Sequence, residues 1–171
     1  MGAPVFLLTG ASAAGKSTVG QALADRFDRS AHVRGDVFRR MVVGGRDERF
    51  GASAEADAQL RLRYRLGAAT ADAYAAAGFT TVWQDVVLGD HLADCVDAVR
   101  ARPLHVVVLA PRLEVLEARE AGRAKTGYRG DLTPAVLDRA LREQTPRLGL
   151  WLDTSEQTVE ETVDAVLAAC G

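Results

Sequence analysis

Apolar positions in this chain alternate between short continuous runs and stretches where they recur at helical spacing. Val5-Phe6-Leu7-Leu8 reads as a buried strand ending at Thr9-Gly10, and Val19, Ala22, Leu23 and Phe27 mark one face of a helix over 16–27. Ala31–Arg34 is a weaker strand, with Asp36 placed to cap a helix from Val37 to about Val43. After Gly44-Gly45 the polar segment Arg46–Ser53 reads as a loop, and an Ala-rich helix spans about Ala54–Ala77 until Gly78. Phe79–Gln84 alternates as a strand, helix follows from Asp90 to Ala101, and Leu104–Leu109 has the unbroken apolar character of a strand buried on both faces. Helix over Arg112–Ala121, loop over Gly122–Thr133, helix over Pro134–Gln144, strand over Gly149–Leu152 and helix over Glu156–Ala169 complete the series.

Strands alternating with helices predict an α/β domain with a five-stranded parallel sheet, helices on both faces and right-handed crossovers. The 171 residues suit one domain with one site, and no internal repeat or linker breaks the chain. In such sheets ligands bind beyond the carboxyl ends of the strands. Thr9-Gly10, Gly35-Asp36, Gln84-Asp85 and Ala110-Pro111 fall at those ends, so they are expected to converge.

Composition narrows the function classes. A formal charge of -2 gives no global basic field, so nucleic acid is a possible but unfavoured partner. No apolar stretch reaches the roughly 18 residues of a membrane span, which makes the cytoplasm the expected location. Cys95 and Cys170 fit no metal spacing and read as reduced structural thiols. His32, His91 and His105 form no cluster, and Trp83 and Trp151 read as core. The chain lacks Asn and Ile, and its only lysines are Lys16 and Lys125 among many arginines. Where coding bias favours arginine, a surviving lysine marks a position where an ammonium is useful.

Lys16 lies in the most informative motif. Gly10-Ala11-Ser12-Ala13-Ala14-Gly15-Lys16-Ser17 matches G-x-x-x-x-G-K-[ST] between a predicted strand and a predicted helix, the phosphate loop of P-loop nucleotide-binding proteins. Small residues let backbone N–H groups close on phosphate oxygens, and the helix beginning near Lys16 adds its positive end. Lys16 is expected to bridge the β and γ phosphates of ATP, Ser17 to offer its hydroxyl to Mg2+, and Thr18 to flank the α phosphate.

Phosphoryl transfer also needs a carboxylate near the γ phosphate to orient or deprotonate an acceptor hydroxyl. Asp36 is the candidate base, with Arg39 and Arg40 as acceptor contacts; an ordinary helix cap with two solvated arginines is the competing reading. Asp85, at a strand end, is expected to organise magnesium or bind the acceptor, while Gln84 points the other way along the pleat. Arg119, Arg123 and Lys125, with Arg129 beyond, could close over ATP as a mobile lid over about residues 119–133. The acceptor region is expected over 35–55.

The chain resembles the small P-loop kinases that include chloramphenicol phosphotransferase, gluconate and shikimate kinases and the polynucleotide 5′-hydroxyl kinase domain. Gly10–Thr18 is similar to their phosphate loop, Gly35-Asp36-Val37-Phe38-Arg39 resembles their acceptor-site Asp-x-x-Arg, and Gln84-Asp85-Val86-Val87-Leu88-Gly89 resembles the Asp-Asp-Val-Phe-Leu-Gly stretch of the chloramphenicol enzyme. The resemblance implies a single-domain kinase, monomeric or homodimeric, with Asp36 as base and Arg119 and Arg123 on phosphates. It also implies that Leu152-Asp153-Thr154-Ser155 touches adenine. Gln84 departs from the acidic pair, and Arg46–Ser53 matches no antibiotic pocket. The implied activity is ATP-dependent transfer to a hydroxyl of an antibiotic or polyhydroxy metabolite. A nucleotide or polynucleotide kinase, and a nucleotide-dependent switch or assembly factor without an acceptor, are the alternatives.

Overall fold

The computed structural model describes residues 2–49, 51–124 and 131–171. Five strands, β1 (Val5–Gly10), β2 (Ser30–Arg34), β3 (Thr80–Gln84), β4 (Leu104–Leu109) and β5 (Leu150–Leu152), form one sheet in the order β2-β3-β1-β4-β5. Every pairing is parallel. The helices are α1 (Lys16–Ala24), α2 (Gly35–Met41), α3 (Ala54–Ala76), α4 (His91–Ala98), α5 (Leu113–Ala121), α6 (Pro134–Arg139) and α7 (Val159–Cys170).

The central strand explains the two-sided architecture. All six residues of β1 are buried, and the pleat sends Val5 and Leu7 to one face, Phe6 and Leu8 to the other. On the first face Val33, Trp83, Val106 and Val108 pack with Ala68, Ala71 and Ala75 of α3 and Leu92 and Cys95 of α4. On the second, Val82, Val107 and Leu109 pack with Val19 and Leu23 of α1, Leu116 of α5, and Val163 and Val166 of α7. The sheet is therefore covered by helices on both faces, as the apolar runs predict. Burying side chains on both sides favours the parallel arrangement, because each crossover helix returns the chain to the same end of the sheet.

Several boundaries differ from the sequence expectation. Asp36 does not cap α2: the helix begins at Gly35 with Arg34 as its N-cap, so Asp36 lies inside the first turn. The helix expected to end at Ala101 stops at Ala98, where Asp72 of α3 draws the chain away by accepting from the Arg100 and Ala101 N–H groups. The helix over Pro134–Gln144 is α-helical only to Arg139 and finishes as a π turn over Ala140–Gln144. The last helix starts at Val159 rather than Glu156, because Thr158 and Glu161 form a reciprocal capping box. Both cysteines are free thiols, Cys95 buried. No helix among the described residues is long and apolar enough to cross a membrane.

Candidate functional site

The turn leaving β1 builds the floor of the site. Gly15 adopts φ 94°, a left-handed conformation that favours glycine, and α1 begins at the next residue. Ala11 and Ala14 are buried against the core, anchoring the loop, while Ser12, Ala13, Gly15, Lys16, Ser17 and Thr18 line a cleft of about 840 Å³. Gly10 stays in β1 below it. Lys16 Nζ donates to the Ala11 carbonyl at 2.7 Å. Burial lowers its pKa to about 8, despite the favourable nearby Asp85 carboxylate.

The ends of β2 and β3 supply the opposite wall. Asp36, Arg39, Arg40, Gln84, Asp85 and Val86 all line the same cleft. Asp36 Oδ2 accepts from Arg40 Nη2 at 2.8 Å, one helical turn on, and Arg39 pairs with Glu48. Gln84 Nε2 donates to Ser17 Oγ at 3.2 Å, so the side chain read as facing away reaches the phosphate loop. Ala110 and Pro111, expected at the same rim, do not line the cleft: their carbonyls accept from Arg142.

Asp85 is buried and held by three hydrogen bonds from two groups. Arg63 of α3 grips both carboxylate oxygens, with Nε 2.9 Å from Oδ2 and Nη2 on Oδ1, and the Val86 N–H donates to Oδ1 at 2.8 Å. Burial raises the Asp85 pKa against the pull of Arg63. Burial also disfavours the Arg63 cation, but Asp85 outweighs it and raises the Arg63 pKa. Two charges joined by a bidentate contact are the arrangement in which buried ions survive.

Arg63 was missed from sequence because it stands among Arg61 and Arg65, which are exposed. Its signal was its phase. Ala56, Leu60, Arg63, Gly67 and Ala71 follow one inward stripe of α3, and a charge on that stripe needs a buried partner.

The fourth side comes from the end of α5. Arg119 reaches the Ala14 and Thr154 carbonyls, each at 3.4 Å, and Arg123 reaches Ser12 Oγ at 3.4 Å and Glu120 at 3.2 Å. Both arginines thus lie over the loop and line the cleft. Lys125 and Arg129 lie outside the described residues. Beside Arg119 a smaller cavity of about 290 Å³ is bounded by Ala14, Thr18, Thr154 and Gln157, and the buried Thr154 Oγ1 has no hydrogen-bond partner there. Among the described residues no cluster of three metal-binding side chains occurs.

A glycine-bounded loop between a buried parallel strand and a helix is the arrangement of the P-loop fold, and comparison agrees. A family model described as an AAA domain matches residues 5–147. The chain belongs to this AAA domain family. Three solved structures share the family member's fold. A sugar kinase from Janibacter sp. HTCC2649 is 22% identical, with a TM-score of 0.68 over 99% of this chain and 94% of that one. The APS kinase CysC of Mycobacterium tuberculosis, solved with AMPPNP and APS, is 21% identical, with a TM-score of 0.67 over 98% and 97%. A gluconokinase from Sinorhizobium meliloti 1021 is 21% identical, with a TM-score of 0.61 over 97% and 90%. A comparison with curated proteins finds no match.

Proposed function

We propose that this AAA-domain protein transfers the γ phosphate of ATP to a hydroxyl of a small molecule, an antibiotic or a polyhydroxy metabolite, with Asp36 as general base. The observation that carries the reading is that Asp36 and Lys16 line one cleft. A pure nucleotide switch has no need for a carboxylate-lined chamber beside its phosphate loop.

In this reading the triphosphate lies along the N–H groups of Ser12–Thr18, and Lys16 leaves the Ala11 carbonyl to hold the β and γ phosphates. The smaller cavity, with the unpartnered Thr154 hydroxyl, takes the adenine. The acceptor hydroxyl approaches Asp36 Oδ1 while Arg40 keeps hold of Oδ2. As its oxygen bonds to the γ phosphorus, the O–H proton passes to the Asp36 carboxylate. The bond from γ phosphorus to the β-γ bridging oxygen then breaks, releasing ADP. Arg119 and Arg123 neutralise charge on the transferring group, and their closure over the cleft excludes water.

The residues present fit a magnesium ion in part. The Ser17 hydroxyl is a hard oxygen donor, oriented by Gln84. Asp85 has both oxygens committed to Arg63, which favours action at a distance over direct ligation. Bound there with ATP, the ion would supply charge neutralisation for the phosphates.

The arginines around Asp36 favour one second reading, a nucleotide or polynucleotide 5′-hydroxyl kinase, since Arg39 and Arg40 could hold an acceptor phosphate. Transfer of labelled γ phosphate to a panel of antibiotics, sugar acids, nucleosides, nucleoside monophosphates and 5′-hydroxyl oligonucleotides separates the two. Label is expected on a phosphate-free alcohol and lost in Lys16→Ala. Label confined to nucleotides or oligonucleotides transfers support to the second reading.

A further inference from the structure

A second cavity, of about 140 Å³, opens between α2 and α3 and borders the main cleft, with Arg39 and Arg63 lining both. Phe38, Met41, Val42, Leu60, Leu62 and Leu66 make its walls. Met41 is 65% exposed, and Leu62 and Leu66 are 40% exposed each, so apolar side chains surround the mouth without covering one another. The polar groups at its edge are already bonded to one another. Asp47 accepts from Arg49 and Ser53, and Gln59 bonds the Asp47 N–H and the Gly45 carbonyl. Arg39 pairs with Glu48. What remains for a ligand is hydrocarbon.

The volume matters because an engineered apolar cavity of roughly 150 Å³ holds benzene. Three exposed side chains around so small a mouth supply only a fraction of the roughly 800 Å² per partner that a stable dimer buries. Because Arg39 and Arg63 line both, an occupant of this cavity borders the chamber that Asp36 lines.

We propose that the acceptor is amphipathic: a hydroxyl presented to Asp36 and, next to it, an apolar group of about one ring seated between α2 and α3. A compact, fully hydroxylated acceptor would leave this cavity unfilled and gain nothing from it. The inference deepens the kinase reading and rests on it for the word acceptor, but the apolar subsite can be tested by binding alone.

The probes are 1-phenyl-1,2-ethanediol and 1,2-propanediol, which share a vicinal diol and differ in phenyl against methyl. Their affinities are measured by saturation-transfer NMR, and phosphate transfer from ATP to each is followed in parallel. The wild-type protein should bind the phenyl diol at least about tenfold more tightly, the scale expected for burying a ring. Leu62→Trp, which fills the mouth, and Met41→Glu, which polarises it, should each erase that preference; both positions are partly exposed, so the fold tolerates them. Equal binding of the two diols, or a preference unchanged in both variants, overturns the inference. So does a dimer in sedimentation that Leu62→Trp dissociates, since a second copy then fills the cavity. A preference with no transfer to either diol or to any member of the acceptor panel keeps the apolar subsite and discards the kinase reading. Transfer without a preference does the reverse.

Discussion

Gly35 lies so close to Asp85 that a Cβ built on it would stand 1.8 Å from Oδ2. The first residue of α2 is therefore a glycine because the carboxylate at the end of β3 occupies the space a side chain would need. This contact ties the start of α2, which carries Asp36, to the buried pair of Arg63 and Asp85.

Gly35→Ala should force Asp85 off Arg63 and cost about 1–3 kcal/mol of stability, the usual scale of overpacking. Arg63→Met should cost more, about 3–5 kcal/mol, because it leaves a buried carboxylate without its cation. Urea unfolding at neutral pH checks both. Equal stability of Arg63→Met and wild type would mean that the pair contributes only to function.

Lys16 has a pKa lowered to about 8 by burial, whereas a lysine bound between phosphates is held protonated. Nucleotide binding should therefore take up protons near pH 8. Affinity should fall by up to about tenfold per pH unit above that value, since the free protein then loses the charge the ligand needs. Titration calorimetry of ATP in buffers of differing ionisation enthalpy measures the uptake. For stability the sign is opposite: unfolded chain holds the proton up to its ordinary lysine pKa, so this group's penalty on the fold fades as pH rises through 8.

His32 contributes in acid. Burial is the first cause lowering its pKa to about 4, Arg34 adds to it, and its Nε2 is buried without a partner against Gly20. Unfolded histidine takes a proton near its ordinary value, so the native state loses stability as pH falls from about 6.5 towards 4. A His32→Leu variant should show a shallower loss of Tm over that window. Parallel wild-type and variant curves would contradict this assignment.

In the proposed reaction Arg123 should matter for the chemical step more than for binding, because it reaches Ser12 of the phosphate loop. Arg123→Ala is expected to lower kcat by about 10²–10³ with a smaller change in ATP affinity. Single-turnover kinetics separates the two effects.

The sheet was legible in the chain because β1 and β4 are short, largely apolar runs between proline or glycine residues. The phosphate loop was legible because its spacing leaves few alternatives. The acceptor wall was less so. Asp36 looked like a cap because the residue before a helix is read from local chemistry, whereas α2 starts earlier, at a glycine selected by its contact with Asp85 fifty residues on in sequence. Gln84 was discounted on strand alternation, yet at the last residue of β3 the side chain can turn to Ser17. Arg63 needed its partner to be visible, and partners distant in sequence are what a single chain conceals.

The most direct test of the account is single-turnover transfer of labelled γ phosphate to the acceptor that the panel identifies, comparing wild type with Asp36→Asn, a substitution that preserves shape but cannot take a proton. The account predicts that transfer falls by about 10²–10⁴ while ATP binding changes little. Transfer at the wild-type rate in Asp36→Asn would contradict Asp36 as the base and return the acceptor wall to a structural role.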